Sequence, residues 1–151
     1  MLKHLIKMLS DLDLNVDTYG SYSVVATYFR KYDSSAEKYV KIDIPEDEDE
    51  FKHSEKIDTP IYEVVKDEND PEICLVTKYL PEKDEKRNPM FFSVFHDEIT
   101  NLPRKYRKFE VVTSAWMRLD KEYTGRLDSP IIAVLVDEEK KQICMVEAPS
   151  K

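Results

Sequence analysis

Residues Lys56–Val76 (KIDTPIYEVVKDENDPEICLV) lie without a gap over Arg126–Val146 (RLDSPIIAVLVDEEKKQICMV), seventy positions further on. Nine of these twenty-one positions are identical, among them Asp58/Asp128, Pro60/Pro130, Asp67/Asp137 and Cys74/Cys144, and half of the rest are conservative. Self-similarity of this kind marks a repeated structural unit, and its features have physical readings. The residue before proline is pushed out of the helical region, so Asp-[Thr/Ser]-Pro is an extended entrance to a strand. Proline at a first strand position removes no ladder hydrogen bond. Asp-Glu then opens a polar turn, and Ile-Cys with its neighbours supplies inward-facing bulk. The unit is a β-hairpin with a defined entrance, and two of them predict a pseudo-twofold arrangement in one sheet or two facing sheets. Weaker matches at the same offset, Tyr22–Val25 with Phe92–Phe95 and Lys38-Tyr39 with Lys108-Phe109, extend the unit to some seventy residues.

The remaining pattern predicts an α+β fold, mostly antiparallel, in a single domain over 1–151 with internal halves of about 1–80 and 81–151. Leu2, Leu5, Ile6, Leu9 and Leu12 fall on one face of an N-terminal amphipathic helix. Ser21–Tyr32 and Lys38–Ile44 read as a hairpin around Asp33–Glu37. A helix over Ser23–Tyr32 fits the same spacing, but β-branched and aromatic residues favour the strand. Pro45–Glu50 reads as an exposed loop, and 81–87 as a charged linker. Asn88-Pro89 is a helix-start signal for a second helix near 89–102, with Phe91, Phe92, Phe95, Ile99 and Leu102 at helical spacing and Pro103 as its stop. Arg104–Trp116, Ile131–Val136 and Gln142–Val146 read as strands.

Composition narrows the function classes. Two glycines in 151 residues leave no room for a glycine-rich phosphate loop. Net charge is −8, which repels phosphate backbones at long range. The surplus is concentrated between Asp43 and Asp58, where eight carboxylates face only Lys52 and Lys56. Cys74 and Cys144 sit in apolar runs without the Cys/His spacing of a zinc site. Buried free thiols suit a reducing compartment, and the N-terminus lacks the pattern of a secretion signal. No apolar run is long enough for a membrane-spanning helix. A cytoplasmic location is therefore expected, with no metal and no cofactor.

Three constellations remain. The acidic run Glu46, Asp47, Glu48, Asp49 and Glu50 matches a lysine- and arginine-rich surface on a protein partner. It lacks the glycine that an EF-hand calcium loop needs. Two basic-aromatic stretches, containing Arg30, Lys31 and then Arg104, Lys105, Arg107, Lys108, supply the charge and stacking that single-stranded nucleic acid requires. The same alternation also describes an amphipathic strand. His96-Asp97-Glu98 is the one dense cluster of acid–base residue types, but adjacent helical positions diverge. The favoured reading is a non-enzymatic, acidic partner-binding or inhibitory protein. Its small size and 17 lysines against 6 arginines fit a phage or other mobile-element (viral) product acting on a host protein. Alternatives are a single-stranded nucleic-acid-binding module and a small hydrolase or nuclease.

Overall fold

The computed structural model describes residues 1–80, 88–119 and 122–149; the charged linker expected at 81–87 lies outside them. The fold is α+β. Its strands are β1 (Ser23–Asp33), β2 (Lys38–Ile42), β3 (Glu55–Pro60), β4 (Glu63–Asp67), β5 (Glu72–Leu80), β6 (Glu110–Leu119), β7 (Glu122–Asp137) and β8 (Gln142–Glu147). Helices α1 (Leu2–Asp11), α2 (Val16–Tyr19), α3 (Glu48–Lys52) and α4 (Phe92–Thr100), with a 3-10 turn at Arg104–Lys108, complete the described residues. None of these helices is long and apolar enough to cross a membrane.

The eight strands form one mixed sheet in the order β2-β1-β8-β7-β6-β5-β4, with β3 on the other edge of β1. The β1–β8 and β5–β6 pairs are parallel and the others antiparallel. Only Ile61 and Tyr62 separate β3 from β4. The Ile61 N–H donates to the Val24 carbonyl (3.0 Å) and the Tyr62 N–H to the Val76 carbonyl (2.9 Å). Because β3 pairs with β1 and β4 with β5, the hydrogen-bonded path returns on itself through this junction. Beta-2 is the exception. It shares an edge of β1 with β8, and its own outer edge has no main-chain partner among the described residues.

Helices α1 and α4 cover the sheet with matched apolar faces. Leu2, Leu5 and Leu9 of α1 and Phe92, Phe95 and Ile99 of α4 are buried in one cluster with Val24, Ile73, Leu75, Ile143 and Met145. The spacing of three and four residues that predicts these helices is what places each trio on a single face. The helix α2 is short and held by Asn15, whose side chain accepts the Thr18 N–H at 2.8 Å.

The two hairpins recognised in the sequence are both present, β4–β5 and β7–β8. Val65 pairs with Cys74 and Leu135 with Cys144; Asp67 pairs with Glu72 and Asp137 with Gln142. Each turn is closed by its first aspartate, with Asp67 Oδ1 accepting the Asn69 N–H (3.0 Å) and Asp137 Oδ1 the Lys140 N–H (3.0 Å). The upstream matches fail, however. Ser23–Asp33 is a strand and Phe92–Thr100 a helix, so Tyr22–Val25 and Phe92–Phe95 are not counterparts. Three boundaries also move. The second helix begins at Phe92 rather than at Pro89. Residues 104–108 are a 3-10 turn, because Tyr106 folds inward (4% exposed) and its hydroxyl bonds Glu68. Part of the acidic segment is helical, because Asp47 Oδ1 caps α3 by accepting the Glu50 N–H at 2.8 Å.

Phe91 and Phe92 are neighbours with opposite environments, 53% and 0% exposed. Phe92→Ala is expected to cost about 3–5 kcal/mol in urea denaturation. Phe91→Ala is expected to stay within about 0.5 kcal/mol of the parent. Equal costs would contradict the packing described.

Candidate partner-binding surface

Two clusters of strand charges organise the frame. Lys56 on β3 bonds Asp58 Oδ2 (3.2 Å) and Asp137 Oδ2 of β7 (3.0 Å), while the Thr27 hydroxyl of β1 donates to Asp58 Oδ1 (2.7 Å). Arg126 on β7 bonds Asp128 Oδ2 (2.9 Å), Glu72 Oε1 (2.6 Å) and Asp67 of β4, and the Ser114 hydroxyl of β6 donates to Asp128 Oδ1 (2.7 Å). In hydrogen-bonding order, β1 and β8 lie between β3 and β7, and β6 and β5 between β7 and β4. A flat sheet would set such strands about 14 Å apart. Side-chain bridges of this length therefore require strong curling, and the ion pairs act as clasps across it.

The clasps fix the protonation of their members. The Asp67 carboxyl is held below the usual carboxylate range by the Asp70 N–H and then by Arg126; Asp137 is held low by the Lys140 N–H and then by Lys56. Burial, the largest single influence, would lower Lys56, but its bond to Asp137 together with the neighbouring Cys144 and Asp58 outweighs this and the net shift is upward. Burial pushes the Cys74 and Cys144 thiols up, toward the unreactive protonated form. These groups are structural.

The sequence-derived catalytic cluster does not converge. His96 lines a pocket of about 250 Å³ between α1 and α4 with its ring 5.6 Å from that of Phe92. Asp97 accepts from the Asn101 side chain (2.8 Å), and Glu98 is raised by burial and then by Glu63 and Asp97. Among the described residues, no three His, Cys, Asp or Glu side chains are grouped to hold a metal ion. The basic stretches sit on separate elements, Arg30 and Lys31 on β1, Arg104, Lys105, Arg107 and Lys108 on the 3-10 turn. Of their aromatic residues, Phe29 and Tyr106 are buried, while Tyr32 is about half exposed. Arg30 is held by Glu55 (2.7 Å) and Lys105 by Glu68 (3.3 Å).

The acidic run is set apart by its position. Thr27 pairs with Asp58 and Phe29 with Lys56; on the other side, Ser114 pairs with Asp128 and Trp116 with Arg126. From Phe29 to Lys56 the chain takes twenty-six intervening residues (30–55), and from Trp116 to Arg126 only nine (117–125). The longer connection holds the end of β1, all of β2, the acidic run and α3. Phe51 of α3 meets Phe29 edge-on (6.0 Å between centroids) and so ties the connection to the sheet.

Charge pairing separates this connection from the frame. Asp58, Asp67, Glu72, Asp128, Asp137 and Glu147 each pair with a lysine or arginine. Asp43 and Glu46–Glu50 have no lysine or arginine within ion-pair distance among the described residues; Asp49 has only His53, at 3.7 Å. Asp47 and Glu50 spend their carboxylates on α3, the latter accepting the Glu46 N–H at 3.0 Å. Tyr32 and Tyr39, stacked edge-on at 5.4 Å, and Phe51 are about half exposed. Comparison with protein-family models, with curated proteins and with solved structures finds no match to this chain, so its residues carry the functional reading.

The clasps generate an acid-sensitivity test. Carboxyls lowered in the folded state contribute stability that is complete above their unfolded value of about 3.9 and lost as pH falls through the folded value. Thermal melts of the parent are expected to lose stability below about pH 4. Arg126→Met, which strips three carboxylates of their cation, is expected to be destabilised by about 3 kcal/mol at pH 7 and to lose less on acidification. An identical pH profile for parent and variant would contradict the clasp.

Proposed function

We propose that this chain is a non-enzymatic, acidic partner-binding or inhibitory protein whose docking surface is the connection 31–54. The observation that carries the reading is the contrast in charge pairing. Six strand carboxylates, Asp58, Asp67, Glu72, Asp128, Asp137 and Glu147, each pair with a lysine or arginine, whereas the consecutive run Glu46–Glu50 and nearby Asp43 have neither within ion-pair distance among the described residues. Such unpaired charge repels itself and favours a partner of opposite sign. The partner is then a protein with a basic surface. The two buried free cysteines are consistent with a reducing cytoplasm, and an inhibitor carried by a phage or other mobile element fits the size and charge of the chain.

The frame itself we read as a diverged duplication with pseudo-twofold symmetry. The two hairpins share a register, as do the β1–β3 and β6–β7 pairs. Each helix also begins on the other half. The Leu2 N–H donates to the Phe109 carbonyl and the Phe92 N–H to the Tyr22 carbonyl, both at 2.8 Å. On this reading, residues 31–54 are an addition to one copy, which frees them for a task the frame does not need.

The test compares partner capture from cell extract by the parent and by Glu46→Gln/Glu48→Gln/Asp49→Asn, a variant that retains Asp47 and Glu50 to hold α3. Melting temperatures are expected to agree within a few degrees. Captured protein is expected to fall at least tenfold, with parental capture weakening as salt is raised. Undiminished capture by the variant would refute the reading.

A further inference from the structure

A pocket of about 390 Å³ lies between the β1–β2 hairpin and α3, lined by Lys31, Ile42, Asp43, Ile44, Glu46 and Glu50. We propose that it is an anchor for one arginine or lysine side chain of an extended partner segment, which pairs through its main chain with the free edge of β2. This rests on the reading of 31–54 as the docking surface and specifies what docks there.

The lining matches the two parts of such a side chain. Ile42 and Ile44 offer apolar surface for the methylene stem, and Asp43, Glu46 and Glu50 offer three carboxylates for the cationic head. Lys31 is the one cation in the lining, and it makes no ion pair within 4.0 Å to those carboxylates. The opposite face of the hairpin is already occupied from within. Arg30 lies 4.1 Å above the Tyr39 ring while bonding Glu55, and Lys41 reaches away to Glu147 at 2.8 Å. The carboxylates that no lysine or arginine pairs therefore lie on the pocket face.

The main-chain part follows from the strand order. Beta-2 is a terminal strand, and an unpaired edge is a template for an added strand, with alternate side chains supplying specificity. Lys41, which would otherwise repel a basic segment, is neutralised by Glu147. A strand added at this edge places every second side chain on the pocket face, so an alternating basic–apolar sequence is the matching partner chemistry.

The probe is a nine-residue peptide alternating arginine and valine, titrated into the 15N-labelled protein. Three controls accompany it, one with citrulline in place of arginine and two N-methylated at alternate residues in opposite phases. Amide shifts are expected to centre on Lys31 and on 38–50, with affinity falling at least tenfold for the citrulline peptide and for Asp43→Asn/Glu46→Gln. N-methylation is expected to abolish binding when it falls on the residues facing β2, and to leave it unchanged in the other phase. Shifts centred outside 31–54, or equal affinity for the citrulline peptide, would overturn the anchor. Indifference to N-methylation in both phases would overturn the strand addition. Should the double variant fail to fold, the peptide controls on the parent decide alone. In either failure, partner capture that still depends on Glu46, Glu48 and Asp49 would leave the broader reading standing, and capture that does not would remove both.

Discussion

Lys56 and Arg126 each reach a carboxylate on a strand three places away in the sheet, and the rest of the architecture is arranged around that reach. The bridges form only if the strands between them curl tightly. Curling in turn brings β3, paired with β1, round to β4, paired with β5, so that the Ile61–Tyr62 junction can close the path. The inner strands β1, β5, β6 and β8 then have both faces covered, which accounts for consecutive buried residues such as Ile73–Val76 and Ile143–Val146. Burying ion pairs is costly unless each member is fully bonded. Here the costs are offset by Thr27, Ser114 and the turn N–H groups that complete the aspartate shells.

Much of this frame was legible because the determinants are local. Asp-Glu turns and Cys-centred apolar runs mark both hairpins in the sequence, whereas the prolines expected at first strand positions instead end β3 (Pro60) and lie within β7 (Pro130). Beta-3 escaped notice because its inward positions are Lys56 and Asp58, charged residues whose burial depends on distant partners. The 3-10 turn escaped for a similar reason, since Tyr106 is drawn inward by Glu68, thirty-eight residues earlier. The helix within the acidic run did carry a signal, Asp47 followed three residues later by Glu50, the pattern of a capping box. Repulsion among five adjacent carboxylates outweighed it in the reading of the sequence.

On the proposed duplication, the upstream strands are offset differently from the hairpins. Val25 and Val112 face Pro60 and Pro130 in the same way, yet they are eighty-seven residues apart, not seventy. The difference is the extra length between Phe29 and Lys56. That length is also where the acidic run resides. The acidic run Glu46–Glu50 is legible in the sequence, but its place on the long connection between Phe29 and Lys56 emerges only from the strand pairing.

The central claim is that folding and partner binding are divided between the frame and residues 31–54. The most direct measurement replaces 31–54 by a two-residue turn joining Arg30 to Glu55, then records thermal unfolding and capture of the parental partner. The account expects cooperative melting and complete loss of capture. A shortened chain that does not fold, or that folds and still captures the partner, would contradict it.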